Sequence, residues 1–288
     1  MRQTFTVADF AIYAIVGSIS LVSIAPFVYI VSVSLTDPSV YIPYKLYLIP
    51  EKVSFASYSY ILSTPNFINA VKNTVFVTVL GTALNIVFTF TMAYALTKKG
   101  MPHRNLMMSI VIFALLFNAG IVPNYLLVKS LGLVNSFWAL ILPALTNSWM
   151  LIIAKSFIDA LPDELEESAK IDGCNEIGIF LRIIMPLSKA SIATLTLFFA
   201  VYHWNTYFNA LIYLNDADKQ TLQVYVKSLL VDASTSGAGE TGMADLLNLP
   251  SETVRMATVV LAMLPILAVY PFVQKYFVKG VMLGSIKG

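Results

Sequence analysis

Long apolar runs dominate this chain and recur six times along it. A helix that crosses the hydrocarbon core of a bilayer needs about 20 mostly apolar residues, more than an ordinary core helix contains. The runs cover residues 10–35, 74–96, 106–127, 137–158, 187–211 and 254–277. Backbone polar groups in lipid must be satisfied within helices or closed barrels. The sequence therefore predicts an all-α, polytopic membrane protein with six transmembrane helices.

The composition agrees with this prediction. Of the 288 residues, 58% are hydrophobic and 12% are charged, whereas soluble domains average about 25% charged residues. The net charge is +2, and no block of lysine or arginine is long enough to follow a phosphate backbone, which argues against nucleic acid. No segment is large enough to fold as a separate soluble domain. We expect one transmembrane domain over residues 1–288.

The distribution of basic residues predicts that both termini lie in the cytoplasm. With the amino terminus inside, eleven of the 18 lysines and arginines fall on the cytoplasmic side and seven on the other side. This bias follows the positive-inside rule, and the short loop KKGMPHR is strongly basic. The first run has only Arg2 before it and lacks a small-x-small cleavage site, so we expect it to remain as an anchor.

A charged stretch at residues 161–186, which we call the elbow, separates the fourth and fifth runs. Pro162 suits the first turn of a short helix, acidic residues follow near the positive end of its dipole, and Gly173 is expected to end it. Asn175 is expected to cap a second short helix. Its predicted apolar face consists of Ile177, Phe180, Leu181 and Ile184. Two helices joined at a glycine suit force transmission to a docked partner; the alternative is an amphipathic loop lying on headgroups.

The spacing within the elbow resembles the EAA signature of ABC importer permeases. Glu167, Ser168 and Ala169 are followed after three residues by Gly173, and after nine more by the string Ile-x-Met-Pro that ends at Pro186. Serine replaces an alanine and methionine replaces a leucine, which retains a small and an apolar residue. The segments AYALTKKGMPHRN, LGLVNSFWALILP and HWNTYFNALIYL are similar to the maltose-type carbohydrate-uptake permeases, closest to the branch for oligosaccharides or polysaccharide fragments.

This resemblance implies a type I importer permease that forms half of a sugar translocation pathway. It implies a heterodimer with a second homologous permease, two ATP-binding subunits on the cytoplasmic face and an extracytoplasmic solute-binding protein, in a bacterial or archaeal cell membrane. The chain carries no G-x-x-x-x-G-K-[ST] loop. ATP and Mg are therefore expected on the partner ATPase subunits, and the chain itself is expected to be a transport subunit without enzyme activity.

The resemblance also implies which residues couple to the ATPase. The elbow from Pro162 to Leu181 is expected to enter a groove on that partner. The implied coupling residues are Glu166, Glu167, Ser168, Ala169, Asp172, Gly173, Ile183 and Pro186. The carboxyl-terminal GSIKG is similar to a tail that reaches toward the ATPase interface, and a disordered end is the alternative.

Aromatic and polar residues at the end of the fifth run are candidates for a sugar pathway. Sugars stack on aromatic faces and need fixed polar groups for their hydroxyls. The candidates are Tyr202, His203, Trp204, Asn205, Tyr207 and Asn209, with Asn118 in the third run. An interfacial aromatic belt is the alternative, and His203 is also suited to hydrogen bonding between helices. Asn118, Gly120 and Pro123 predict a bend, with or without a ligand.

The sequence also bears on three other functions. A secondary transporter is expected to bury ion-coupling carboxylates or carry inverted repeats, whereas every acidic residue lies outside the predicted spans or at their ends. An intramembrane enzyme needs metal ligands or a nucleophile with a base, yet His103 and His203 fall on opposite sides of the membrane and no catalytic or metal-binding pattern is visible. An ABC importer permease for a solute other than a sugar stays open.

Overall fold

The computed structural model describes residues 7–236 and 252–284. These residues form helices joined by loops, and the part of the chain that the structure describes contains no strand beyond an isolated bridge between Thr36 and Val53. The all-α prediction is confirmed. The carboxyl-terminal tail considered for a role at the ATPase interface lies, after Gly284, outside the described residues.

Fourteen α-helices are described along these two segments. They are α1 (Val7–Ser34), α2 (Ala56–Ser63), α3 (Pro65–Thr97), α4 (Arg104–Leu116), α5 (Ile121–Ser130), α6 (Trp138–Ile141), α7 (Ser148–Asp159), α8 (Glu164–Ile171), α9 (Glu176–Ile179), α10 (Met185–Leu187), α11 (Lys189–Trp204), α12 (Phe208–Tyr213), α13 (Leu222–Ser236) and α14 (Glu252–Gly284). Short 3-10 turns cover Leu142–Ala144 and Ala217–Lys219, and a π-helical turn covers Phe180–Ile184.

Three predicted spans are continuous helices and three are broken. By length and composition, α1, α3 and the first part of α14 can each cross a membrane. The other three runs are helix pairs with bends of 120°, 49° and 81°. Counting each bent pair as one span gives up to six spans, which agrees with the six apolar runs of the sequence.

The break in the third run lies between α4 and α5, where the sequence predicted a bend. Gly120 has a φ of +85°, a region that favours glycine. Its amide donates a 2.9 Å hydrogen bond to Oδ1 of Asn118. The predicted bend is confirmed, and the local cause is a glycine turn closed by an asparagine side chain.

The break in the fourth run precedes α7. Asn147 has extended backbone angles, and its side chain accepts a hydrogen bond of 3.1 Å from the amide of Met150. This is an N-cap, which starts a new helix rather than continuing the previous one. The run therefore consists of α6 with its 3-10 turn, a short extended step, and α7.

The fifth run differs from the predicted residues 187–211 at both ends. The helical segment that begins at Glu176 continues through Pro186 to Leu187, and the chain then turns by 81° into α11. Pro186 therefore lies at the end of the elbow rather than at the start of the span. At the other end, Asn205 and Thr206 donate side-chain hydrogen bonds of 2.9 and 3.0 Å to carbonyls four residues earlier. Such bonds compete with helical backbone pairing, and α11 ends at Trp204.

The chain divides into two compact units, of which the first comprises the described residues of Met1–Ile68 and Tyr225–Pro265. In this unit Ser34 and Tyr58 share a 2.7 Å hydrogen bond between their hydroxyls. Ser57 donates to Oγ1 of Thr253 over 3.0 Å. The loop after α1 folds over Tyr47, whose side chain is buried. Hydroxyl pairs between helices thus join α1, α2 and α14 within this unit.

The second unit comprises Asn69–Val224 and Ile266–Gly288 in their described parts, and it holds two buried apolar clusters. The cluster next to the elbow, which we call the elbow cluster, contains Phe90, Ala93, Tyr94, Leu96, Val111, Leu151, Ala154, Ile158, Ala169, Ile179, Ile184, Leu195 and Phe199. The other cluster contains Val77, Val128, Ala139, Leu140, Ile141, Ala210, Tyr213, Leu214 and Val224. The expectation of a single domain over the whole chain stays a prediction.

Candidate functional site

The first half of the elbow is helix α8, and it ends where the sequence predicted. Gly173 follows it with a φ of +80°. The amide of Gly173 donates to the carbonyl of Lys170 over 3.1 Å, and the amide of Cys174 donates to the carbonyl of Ala169 over 2.9 Å. These two bonds form a Schellman motif, in which a glycine in the left-handed region satisfies the last carbonyls of a helix.

The second half of the elbow starts at the predicted cap. Oδ1 of Asn175 accepts a 2.8 Å hydrogen bond from the amide of Gly178. The chain then widens into the π-helical turn, in which the amide of Met185 donates to the carbonyl of Phe180, five residues earlier. The cap is confirmed, whereas the π-helical turn was not predicted.

The π-helical turn changes which side chains of the second half are buried. Ile179 and Ile184 pack in the elbow cluster, and both are essentially inaccessible. Ile177 and Leu181 are 69% and 58% exposed. The residues of the predicted apolar face therefore divide, because Ile184 is buried and Phe180 partly buried in the elbow cluster, whereas Ile177 and Leu181 are exposed. A spacing of 3.6 residues per turn does not hold across the π-helical turn at Phe180–Ile184. A π-helical turn places residues five apart on the same side.

The eight proposed coupling residues divide into two groups. Ala169 is buried in the elbow cluster, and Ile183 and Glu166 are partly buried. The exposed members are Glu167, Ser168, Asp172, Gly173 and Pro186. The first group holds the elbow against the rest of the unit, while the second group faces outward and is free of the core packing.

Lys98, in the loop after α3, joins the two halves of the elbow to α3. Its Nζ contacts a carboxylate oxygen of Glu166 in α8 and lies 3.1 Å from Oε2 of Glu176 in α9. The same Nζ lies 4.1 Å from the ring centroid of Tyr94. The Tyr94 hydroxyl donates to Oε2 of Glu176 over 2.8 Å, and Nζ of Lys170 lies 2.9 Å from Oε1. We call these five residues the polar latch.

The polar latch lines a cavity of about 910 Å³ on the side of the elbow. Burial by itself lowers the pKa of the Lys98 amine, but hydrogen bonds to Glu166, Tyr94 and Glu176 raise that pKa above its ordinary value. The amine is therefore charged at physiological pH. Charge-assisted hydrogen bonds in a partly buried site are stronger than neutral ones and less screened by salt.

His203 lies in a second polar cluster in this unit, at the end of α11. Its side chain is 1% exposed, and Nε2 lies 2.7 Å from Oδ1 of Asn85 in α3. The amide nitrogen of Asn85 donates to the carbonyls of Ala144 and Leu145 at the break in the fourth run. A Cβ added at Gly81 would lie 2.6 Å from Nε2 of His203. The cluster thus combines a histidine, an asparagine and a close-packed glycine.

The candidate pathway residues occupy different environments. His203 and Trp204 are buried in the described chain, and Tyr207 is partly buried. Tyr202, Asn205 and Asn209 are exposed around the end of α11 and the start of α12. Asn118 is also exposed, but it lies in a separate segment, at the break between α4 and α5.

Sequence reasoning assigned no site role to Lys98, Tyr94, Glu176 or Asn85. A signal was present for the first two, because both belong to AYALTKKG, one of the segments that carries the family resemblance. For Asn85 the signal was Gly81, which lies one helical turn before it and leaves space on the same face.

Apolar helices that fit up to six spans, together with a charged elbow that carries the EAA spacing between the fourth and fifth runs, define the membrane permease subunit of an importer. The chain belongs to the family described as "Binding-protein-dependent transport system inner membrane component", whose model matches residues 14–283. Members of this family are membrane components of transport systems rather than enzymes.

Two curated relatives match over nearly the whole chain. Protein LplC of Bacillus subtilis (strain 168) is 45% identical over 272 residues, which cover 94% of this chain and 92% of the relative. The polygalacturonan/rhamnogalacturonan transport system permease protein YtcP of the same organism is 42% identical over 280 residues, which cover 97% and 98%.

Solved structures share the fold. A chain in the crystal structure of a bacterial ABC transporter involved in the import of the acidic polysaccharide alginate matches with a TM-score of 0.86 and 32% identity, covering 95% of this chain and 99% of that one. A chain from the bacterial alginate transporter in complex with an alginate pentasaccharide-bound periplasmic protein matches with a TM-score of 0.56. Its identity is 15%, so that likeness concerns the fold alone.

Proposed function

We propose that this permease imports oligosaccharides or polysaccharide fragments and that it transmits ATPase closure to its spans through the elbow. The observation that carries the coupling role is the exposed surface of the elbow. Ile171, Ile177 and Leu181 are 86%, 69% and 58% exposed. The cargo class is supported by the relative that transports polygalacturonan and rhamnogalacturonan and by the structural likeness to an alginate importer.

The proposed assembly contains this chain, a second homologous permease, two ATP-binding subunits and an extracytoplasmic solute-binding protein. ATP and Mg bind to the ATPase subunits in this proposal, since the sequence carries no phosphate-binding loop. Both termini lie in the cytoplasm of a bacterial or archaeal cell. The basic loop after α3 supports this orientation, and the orientation places the elbow on the same side as the ATPases.

The elbow is suited to docking because it is preorganised. The Schellman motif and the Asn175 cap shape its two short helices without help from a partner. Ala169 and Ile179 anchor one side in the elbow cluster. Ile177 and Glu167 are exposed. Preorganised surfaces lose little conformational entropy on binding, and exposed apolar side chains supply the contact area.

On the substrate side, Tyr202, Asn205 and Asn209 are the members of the pathway set best placed to meet a sugar, because their side chains are exposed. Tyr207, Trp204 and His203 then support them from behind. Asn118 contributes from the third run in this proposal. An aromatic belt at the membrane interface explains the same composition, so transport kinetics must distinguish the two functions.

Copurification tests the coupling role. Ile177→Ser removes an apolar side chain that is 69% exposed in the described chain, so folding should be unaffected. ATPase copurification should fall about tenfold, the scale of one apolar side chain buried at an interface. The second permease should still copurify. Leu46→Ser is the matched control, since Leu46 is 71% exposed on the loop after α1. An elbow variant that retains the ATPase at the wild-type level contradicts the proposal.

Uptake kinetics test the pathway. Tyr202→Ala should raise the half-saturating concentration for oligogalacturonide uptake about fivefold, the scale expected for one aromatic contact. An amino-acid substrate serves as the comparison solute for the wild-type system. Unchanged kinetics in the variant argue for an interfacial belt, and uptake of the amino acid but not the glycan argues for a different cargo.

A further inference from the structure

Lys98 connects two elements, α3 and the elbow, that are not neighbours along the chain. Peptide bonds already link the elbow to α7 on one side and to α11 on the other. Lys98, directly after the end of α3, is 68 residues away from Glu166 in sequence, and the contact between their side chains joins α3 to the elbow. Any movement of the elbow reaches α3 through side chains rather than through the backbone.

The neighbouring lysine shows that this is not a general property of a basic loop. The Lys98 and Glu166 side chains are each 23% exposed. Lys99 forms a 3.4 Å ion pair with Asp163, but those side chains are 87% and 80% exposed. Exposed ion pairs contribute little to stability because water and salt screen them. Of the two lysines in this loop, Lys98 therefore forms the partly buried ion pair with the elbow, and Lys99 forms an exposed one.

Glu176 extends the link to both halves of the elbow. One of its oxygens accepts from Tyr94 and Lys98, and the other faces Lys170 of α8. The ring of Tyr94 also lies 5.1 Å from the ring of Phe180 in the π-helical turn. The polar latch and the elbow cluster thus hold α3 against the elbow by polar and apolar contacts together.

We propose that Lys98 is a positioning residue that fastens the elbow to the end of α3, so that α3 moves with the elbow when the ATPases close. This inference rests on the proposed coupling function. Coupling between distant elements requires a contiguous physical connection with defined geometry. The polar latch connects α3 to the elbow, whereas α7 and α11 are connected to the elbow through the backbone. Three spans then respond to one docking event.

The test uses the complete complex, reconstituted with its partner permease, ATPases and binding protein. Lys98→Met keeps the length of the side chain but removes the charge. The substrate carried per ATP hydrolysed should fall about tenfold, the effect of losing charge-assisted hydrogen bonds. ATPase copurification should stay at the wild-type level. Lys99→Met is the matched control and should leave the ratio unchanged, and Lys98→Arg should restore most of it.

A crosslink provides a second measurement that does not depend on the folding of the Lys98 variant. Cys174→Ser, Lys99→Cys and Asp163→Cys place a labelling pair across the same junction, to be joined by a short bifunctional maleimide. If α3 and the elbow move as one body, the crosslinked complex should transport as fast as the unlinked one. Loss of transport in a crosslinked complex that still copurifies with its ATPases overturns the inference.

The two proposals fail in different ways. If Lys98→Met keeps a normal transport-to-ATP ratio while the ATPases remain bound, the polar latch has no coupling role and the inference is wrong. If Ile177→Ser fails to weaken ATPase binding, the proposed docking function of the elbow is wrong. Measuring copurification and the ratio on the same preparations separates these outcomes.

Discussion

His203 donates from Nε2 to Oδ1 of Asn85 over 2.7 Å, and this buried bond joins α11 to α3 within the second unit. The roles of the atoms follow from the surroundings. The Asn85 amide nitrogen faces the carbonyls of Ala144 and Leu145, so Oδ1 is the acceptor and His203 carries its proton on Nε2. The break in the fourth run leaves these carbonyls without helical partners, and Asn85 donates to both of them.

Gly81→Ala should destabilise the protein only while His203 is present. A Cβ at this position would lie 2.6 Å from Nε2 of His203, a distance that forces one group to move. We expect the free energy of unfolding in detergent to fall by about 1–3 kcal/mol, the range for overpacking a filled site. In a His203→Ala background the same change should cost less than about 0.5 kcal/mol.

Gly17→Ala is the matched control for this cycle, since nothing lies within 4 Å of its added Cβ. It should leave the melting temperature unchanged or slightly higher, because alanine favours helix over glycine. An equal cost of Gly81→Ala in both backgrounds would show that His203 does not fill the space beside Gly81.

Asn85→Leu should destabilise the break in the fourth run. The substitution leaves two carbonyls and His203 without their partner in an apolar environment. We expect a loss of about 1–2 kcal/mol, the scale of hydrogen bonds between membrane helices. Thermal unfolding of the purified protein measures it, with Asn124→Leu at an exposed position as the control. A variant as stable as the wild type would mean that the hydrogen bonds from Asn85 do not stabilise the break.

Substitutions at Gly173 should follow backbone preference rather than side-chain size alone. Its φ is +80°, yet nothing lies within 4 Å of an added Cβ. The cost therefore arises from the left-handed backbone, about 1–2 kcal/mol for a residue with a Cβ and less for asparagine. Uptake should be reduced least in Gly173→Asn, more in Gly173→Ala and most in Gly173→Val. The valine variant should be nearly inactive but still inserted in the membrane.

Gly100→Val separates conformation from bulk, because Gly100 also has open space around an added Cβ but no positive φ. Its uptake should stay close to the wild-type rate in whole cells, with membrane content measured by immunoblot. Equal defects for Gly173→Asn and Gly173→Val would contradict a backbone origin for the Gly173 effect.

The loop after α12 should loosen in acid. Asn135 donates to Oδ2 of Asp216 over 2.7 Å, and Lys219 lies 3.1 Å from the same oxygen. These contacts hold the pKa of Asp216 below its ordinary value. A lowered folded-state pKa stabilises the fold above the unfolded-state pKa of about 4 and loses that contribution as the pH falls through the folded value.

The melting temperature measured from pH 7 downward should therefore show a decline below about pH 4 that Asp216→Asn reduces. Asp218→Asn, two residues away, is the matched control and should leave the decline unchanged. An identical decline in the wild type and in Asp216→Asn would assign the acid sensitivity to other carboxylates.

Local features of the elbow were predictable because their causes are local. A glycine after an amphipathic turn predicts a left-handed stop, and an asparagine before a helix predicts a cap, since both depend on backbone groups within four residues. The positions of Gly173 and Asn175 were therefore correct. The bend at Asn118 and Gly120 was predicted for the same reason.

The buried face of the second half of the elbow was not predictable in this way. The π-helical turn at Phe180–Ile184 brings Ile179 and Ile184, which are five residues apart, to the same buried side. In a π-helical turn the backbone hydrogen bonds join residues five apart, and both Ile179 and Ile184 then pack in the elbow cluster. The early end of α11 at Trp204 also depends on side chains, those of Asn205 and Thr206, that a hydropathy window counts only as polar.

The sequence by itself determined that this chain is a membrane permease, because long apolar runs, basic loops and the EAA spacing are one-dimensional patterns. The tertiary structure decided how those pieces are joined. Lys98 meets Glu166 across 68 residues, and His203 meets Asn85 across 118. Such pairs depend on how helices pack and on which polar groups packing leaves unsatisfied, and neither condition is expressed in the spacing of residues along the chain.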